Sequence, residues 1–599
     1  MSEHIEAGTT PSRSVLIDDV FIKPIRTVMV VDDEFPTLED FLKEESNLDA
    51  KKAGNKNRVR DILAFCRDQN RAWLVDIHDG CSSKEDMAIA GHLHHSDLLI
   101  LDYHLDGQTD RGDKAIGILR ELAKSPHFNL VIIYTAADEL AGGDLTRTLG
   151  EIALGLTCRD EALEWSGQGF DMVDDMLDKW TEHDPSILNR LTDAIDPLTF
   201  VRIRWDKKRN LKKELERDQW GSFNAIIEGA KKHNLNLAPV QVLKWCLGRA
   251  QQNFVNLFSP LDLGKVGVGL SDAGTNWIQT NRLFITVISK KRNTAELPSM
   301  LSAALQSWDP FPQRLILSKM RVELDAVGAN AENEILANKH LQAGWLEDLL
   351  SEARQAAPTN VTIERHWESL GDTIRSNVAE YSTQLAKSLH DVPDIRLHRF
   401  ENEFPLDYER ERHHICLEAN IYACSKQVSG SHLGVGHILK IQRAGQDLYW
   451  ICLSPACDLV PGQKDSGWMA RLGTWMPFKA VQLFPESEAN ALREATRANH
   501  LFLRIDSSPQ TFGFSPSPSA LSNPKWEQMF AKNSGIFTDP DRRLTIADLS
   551  AGDGDELAAT TSMGQVVAQV RYEYALNLLQ RLGANLSRIG LDFQANGTA

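Results

Sequence analysis

Three short apolar runs that each stop at a polar group constrain this chain most. TVMVVDD (27–33) and DLLILD (97–102) end in acids, and NLVIIYT (129–135) ends in a hydroxyl. Runs this short and this apolar read as strands buried on both faces of a parallel sheet. Between and after them apolar residues recur at helical spacing, as at Ala115, Ile118, Leu119 and Leu122. Strand and helix thus alternate as in a doubly wound α/β sheet. In such sheets functional groups collect at the carboxyl ends of strands, which here carry Asp32, Asp33, Asp102 and Thr135. Three carboxylates converging there would repel one another unless a hard cation sat among them, and Mg2+ takes oxygen ligands of this kind.

The acid pair after VMVV, the acid after LLIL, GDKAIGILREL opening a helix at 112, and Thr135-Ala136 after VIIY together resemble the receiver domains of two-component signalling, whose fold is flavodoxin-like. The resemblance spans the first 140 or so residues. It implies that Asp102 is the phospho-acceptor, that Asp32, Asp33 and Asp102 hold Mg2+, and that Thr135 is the switch hydroxyl. It also implies a phosphorelay in which a histidine kinase or related ATPase donates in trans, because the chain has no phosphate-binding Gly loop of its own: LGKVGVGL (263–270) lacks both the spacing and the Ser or Thr after Lys.

The chain departs from the family pattern in three places. Receivers carry a Lys at the end of the fifth strand, soon after the Thr, yet no Lys lies between Thr135 and Lys179. If an insertion displaces that strand to FVRIRWDKK (200–208), Lys207 or Lys208 substitutes; otherwise the cation is absent and the phosphoryl group lacks its charge partner. The step from Asp32 to Asp102 is long, with KEESNLDAKKAGNKNR (43–58) as the candidate insertion, and the loop YHLDGQTDRGD after Asp102 lacks the family's frequent Met-Pro.

At 599 residues the chain exceeds what one core organises. The expected layout is a flexible leader at 1–22, an atypical receiver-like domain with insertions at 23–205, a mainly helical middle at 206–390, a small β-rich domain at 391–515, and an irregular segment with a C-terminal helix at 516–599. FVRIRW (200–205) and NRLFITVIS (281–289) read as strands, DVPDIRLHRF (391–400) as a turn toward β structure, and GHILKIQRAGQDLYWICLSP (436–455) as a hairpin with a Gly-containing loop. MGQVVAQVRYEYALNLLQRLGANLSRIG (563–590) carries a helical stripe.

With 42% hydrophobic and 25% charged residues and no long apolar run, a soluble cytoplasmic protein is expected, with no membrane partner. The polar opening MSEHIEAGTTPSRS lacks a secretory layout. Eight scattered cysteines suit reduced thiols. A net charge of −18 opposes contact with a phosphate backbone, so nucleic acid is not the favoured partner. The run RIRWDKKRNLKK (202–213), seven cations against one Asp, remains a candidate patch beside the reading of a solvated face. Cys457-Asp458, with His432 and His437 upstream, allows a thiol nucleophile or zinc site, against a tight turn capped by Asp458.

The leading expectation is a response regulator whose atypical receiver biases an unidentified output region, with no activity beyond its own phosphorylation and dephosphorylation. Large receiver proteins with unfamiliar output regions occur in bacterial conflict systems, and phage defence follows by that analogy. The alternatives are an adaptor or assembly protein with a non-phosphorylated, docking pseudo-receiver, and an enzyme centred on Cys457.

Overall fold

The computed structural model describes residues 11–42, 50–80, 96–105, 112–125, 127–136, 144–158, 168–204, 211–271, 274–352, 361–390, 404, 406–461, 469–497, 499–517, 523–537, 539–552, 554 and 556–587. The chain divides into two compact units, Met1–Val322 with Val378–Ser388, and Glu323–Asn377 with Leu389–Ala599. Among the described residues no helix is long and apolar enough to cross a membrane.

The first unit is built on a seven-stranded sheet. The strands are β1 (Thr27–Val31), β2 (Leu74–His78), β3 (Leu98–Leu101), β4 (Asn129–Thr135), β5 (Gly267–Leu270), β6 (Asn276–Gln279) and β7 (Leu283–Ser289), in the order β2-β1-β3-β4-β7-β6-β5. The first five in that order are parallel, and β6 and β5 extend the β7 edge in antiparallel fashion. This parallel core has the doubly wound 2-1-3-4-5 order, with its fifth strand supplied by β7.

Both faces of the sheet are covered, which is why its central strands are apolar throughout. Val31, Leu101, Ile133 and Val287 pack in one core with Ile116 and Leu119 of the helix Asp113–Leu122 and with Leu149 and Ile152 of the helix Asp144–Leu156. On alternate positions Val30, Ile100, Ile132 and Phe284 are buried as well. There Phe284 meets Trp308 at 5.1 Å between ring centroids, and Trp308 meets Phe21 at 5.9 Å. Each fully buried side chain of this size contributes about 1.5–3 kcal/mol.

The β4-to-β7 crossover is a helical subdomain. Its described helices include Asp144–Leu156, Gln168–Thr181, Pro197–Arg204, Gly221–Ala230 and Pro239–Asn253. The segment read as the strand FVRIRW belongs to the helix Pro197–Arg204, which buries Leu198, Phe200, Val201 and Ile203. It lies so close to the helix Asp144–Leu156 that a Cβ on Gly150 would stand 2.4 Å from the Leu198 amide nitrogen. Close helix packing, not strand pairing, buries this run. Residues 205–210, including Lys207, Lys208 and half of the basic run, lie outside the described residues, as do 391–400 and 43–49.

The second unit contains a closed six-stranded barrel. Its strands are β9 (His437–Arg443), β10 (Gln446–Cys452), β11 (Met476–Pro485), β14 (Trp526–Ala531), β15 (Arg543–Ala551) and β16 (Leu557–Val570), and β10 pairs with both β9 and β11 to close the ring. The short strand β8 (Ser425–Lys426) pairs with β16, and the hairpin of β12 (His500–Ile505) and β13 (Ser508–Gly513) joins β11. Leu439, Trp450, Phe478, Met529, Ile546 and Val566 fill the barrel, while Ile438, Ile451, Val481 and Val570 face a second core with the helices Tyr408–Cys424 and Tyr572–Leu586. The predicted 436–455 hairpin is β9 and β10. MGQVVAQV, read as helical, is the end of β16, and the helix begins at Tyr572.

Candidate functional site

The site sits where β1 and β3 diverge at their carboxyl ends. β1 delivers Asp32 and Asp33 one and two residues past Val31, and β3 delivers Asp102 directly after Leu101. The backbone fixes both loops: Asp32 N donates to His78 O at 3.1 Å, and Asp102 N donates to Val31 O at 2.8 Å. Asp32 is 2% and Asp102 5% exposed, so the two carboxyl groups are held out of water. One oxygen each from Asp32, Asp33 and Asp102 lies within 4.8 Å of the others, and this is the only cluster of three or more metal-type side chains among the described residues.

A cation from far along the chain completes the arrangement. Lys290 follows β7 directly, and its Nζ lies 2.8 Å from Asp32 Oδ2 and 2.9 Å from Asp102 Oδ2. Its own backbone N donates to Thr135 O at 2.6 Å, which ties the ends of β4 and β7 together, and the Thr135 side chain is fully buried there. Phe35 closes one side, with Lys290 Nζ 5.6 Å from its ring centroid. The structure thus groups Asp32, Asp33 and Asp102, joins Thr135 to Lys290 through the backbone, and puts Lys290 at the end of the fifth parallel strand. FVRIRW does not supply that strand.

The charges are strongly interdependent. Burial, with Asp102 as a like-charged neighbour, pushes the Asp32 carboxyl up to about 7 against the pull of Lys290. Burial and Asp102 also raise Asp33. Burial alone would lower Lys290, but the two carboxylates beside it hold its pKa above the ordinary value. Asp33 Oδ1 is buried without a hydrogen-bond partner. Buried oxygens with raised pKa values and an orphaned lone pair fit a hard divalent cation, and Asp32, Asp33 and Asp102 are the residues that would hold it.

Asp102 is linked to the inserted helices through its neighbour. Tyr103 is buried, and its hydroxyl donates to Glu151 Oε2 at 2.8 Å on the helix Asp144–Leu156. Gly112 stands at φ 72°, and a Cβ there would come within 2.1 Å of the Tyr103 ring, so glycine is required by both backbone and neighbour.

Cys457 and Asp458 belong to the turn Ala456–Leu459 of the second unit. Cys457 is exposed, its thiol donates to Asp458 Oδ1 at 3.5 Å, and His437 Nδ1 instead accepts from Gly434 N at 3.0 Å. Sequence reasoning missed Lys290. Its signal was present as the apolar strand LFITVIS followed at once by a lysine, the same pattern that marked Asp102.

Fold and site together define a receiver domain. Residues 24–148 match the family model of the response receiver domain. That match carries a role in signalling of the response-regulator kind, and it ends well before Lys290. No curated protein and no solved structure matches the chain.

Proposed function

We propose that the first unit is a phosphorylation switch in which Asp102 accepts a phosphoryl group and Lys290 is its charge partner. The observation that carries this reading is the Lys290 ammonium 2.9 Å from Asp102 and 2.8 Å from Asp32, since a phosphoryl group on Asp102 needs a buried cation within reach. Asp102 Oδ attacks the phosphorus of a donor in line with the bond to its leaving group. The donor bond breaks, the aspartyl-phosphate bond forms, and the leaving group departs with its electron pair. Asp32, Asp33 and Asp102 would hold Mg2+, and the ion would supply neutralisation of the phosphoryl oxygens. Lys290 Nζ then pairs with the new dianion, and the Thr135 hydroxyl donates to it.

A histidine kinase or related ATPase acting in trans is the proposed donor class, and the inserted helices and the second unit are the proposed output. Charge added beside Tyr103 bears on Glu151 and its helix, a local event with a route to the insertion. The test is intact-mass analysis after incubation with acetyl phosphate and Mg2+. Addition of one phosphoryl group that disappears in Asp102→Asn supports the switch. An unmodified mass, with no Mg2+ binding by calorimetry, overturns it in favour of a docking module whose Lys290 bridge is structural.

A further inference from the structure

The second unit holds a pocket of its own. It lies between the helices Tyr408–Cys424 and Tyr572–Leu586 and the strand β12, with a volume of about 300 Å³. That volume is at the lower end of small-ligand sites. Its buried wall includes Cys424, His500, Phe502 and Val570, and its open rim carries Asn420, Glu573, Tyr574 and Asn577. His500 is 8% exposed, and its Nδ1 is buried without a hydrogen-bond partner.

We propose that this pocket binds a nucleobase or nucleoside lacking phosphate, with His500 reading the edge of the base. The chemistry of the lining selects this class. Burial lowers the His500 pKa, so the neutral ring presents one acceptor and one donor. Asn420 and Asn577 add amide groups, which pair a donor and an acceptor as the edges of bases do. Phe502 and Tyr574 offer aromatic surface suited to a planar heterocycle. Among the described residues no Lys or Arg lines the pocket and Glu573 is its one acidic group, so a phosphate or carboxylate would meet repulsion without a partner.

The experiment is isothermal titration of the full-length protein with adenosine, guanosine, cytidine, uridine and thymidine, and with the 5′-monophosphate of any nucleoside that binds. The expected result is saturable binding of at least one nucleoside, tighter than its monophosphate. Loss of one well-formed hydrogen bond in His500→Phe should weaken it by about tenfold. Asn577→Leu, at an exposed helix position, keeps the fold intact should His500→Phe fail to fold, and it should weaken binding severalfold. Absence of binding by all five nucleosides, a monophosphate that binds more tightly, or affinity unchanged in Asn577→Leu and in a folded His500→Phe would overturn the proposal.

Discussion

Lys290 Nζ lies 2.9 Å from the Asp102 carboxylate although the whole helical insertion separates the two residues in sequence. The parallel pairing of β4 with β7, in register from Asn129 with Leu283 to Thr135 with Ser289, places Lys290 beside the acids. Removal of this cation leaves Asp32 and Asp102 buried and uncompensated. Lys290→Met is expected to cost about 3–5 kcal/mol in urea unfolding. Mg2+ should raise the melting temperature of this variant more than that of the wild type, because the ion replaces the missing positive charge.

Tyr103 tests the route from the acid to the insertion. Tyr103→Phe removes only the hydroxyl that donates to Glu151. The expected loss is about 1 kcal/mol, with faster hydrogen exchange in the helix Asp144–Leu156. Exchange unchanged in that helix would contradict the link.

Gly112 tests the packing behind Asp102. Gly112→Ala forces an L side chain to φ 72° and drives a methyl group against the Tyr103 ring. Strain and overpacking together should cost about 2–4 kcal/mol by denaturant titration. Gly54→Ala, in open space within a helix, should be neutral or stabilising.

The barrel of the second unit carries a pH dependence of definite sign. Burial, aided by His432, lowers His437 to about 4 in the folded chain, while an unfolded histidine titrates near 6.5. Between these values the unfolded state binds the extra proton. Stability is therefore full above about pH 6.5 and falls as the pH drops toward 4, by about 3 kcal/mol in total. Urea midpoints measured across that window should slope accordingly, and His437→Gln should flatten the slope.

The receiver core was legible because buried parallel strands are short apolar runs, and β1, β3 and β4 each end at the residue that matters. The strand β7 was legible for the same reason. Its membership in the sheet was not, because strand order is a long-range property and the crossover is a subdomain. The run 200–205 failed as a strand because a six-residue apolar alternation suits either period, and contact with Gly150 decided for the helix. At 563–570 the alternating burial of Gly564, Val566, Ala568 and Val570 is a strand pattern, hidden by its junction at Arg571 with a strongly amphipathic helix. The pocket beside His500 was invisible because its walls come from separate parts of the chain.

The most direct test is 19F NMR of beryllium fluoride binding in the presence of Mg2+, on the wild type, Asp102→Asn, Lys290→Met and the pair Lys207→Met with Lys208→Met. The account predicts a protein-bound fluoride signal in the wild type, none in Asp102→Asn, a weakening of about tenfold or more in folded Lys290→Met, and no change in the Lys207 and Lys208 pair. Wild-type affinity in Lys290→Met, or no bound signal in the wild type, would contradict it.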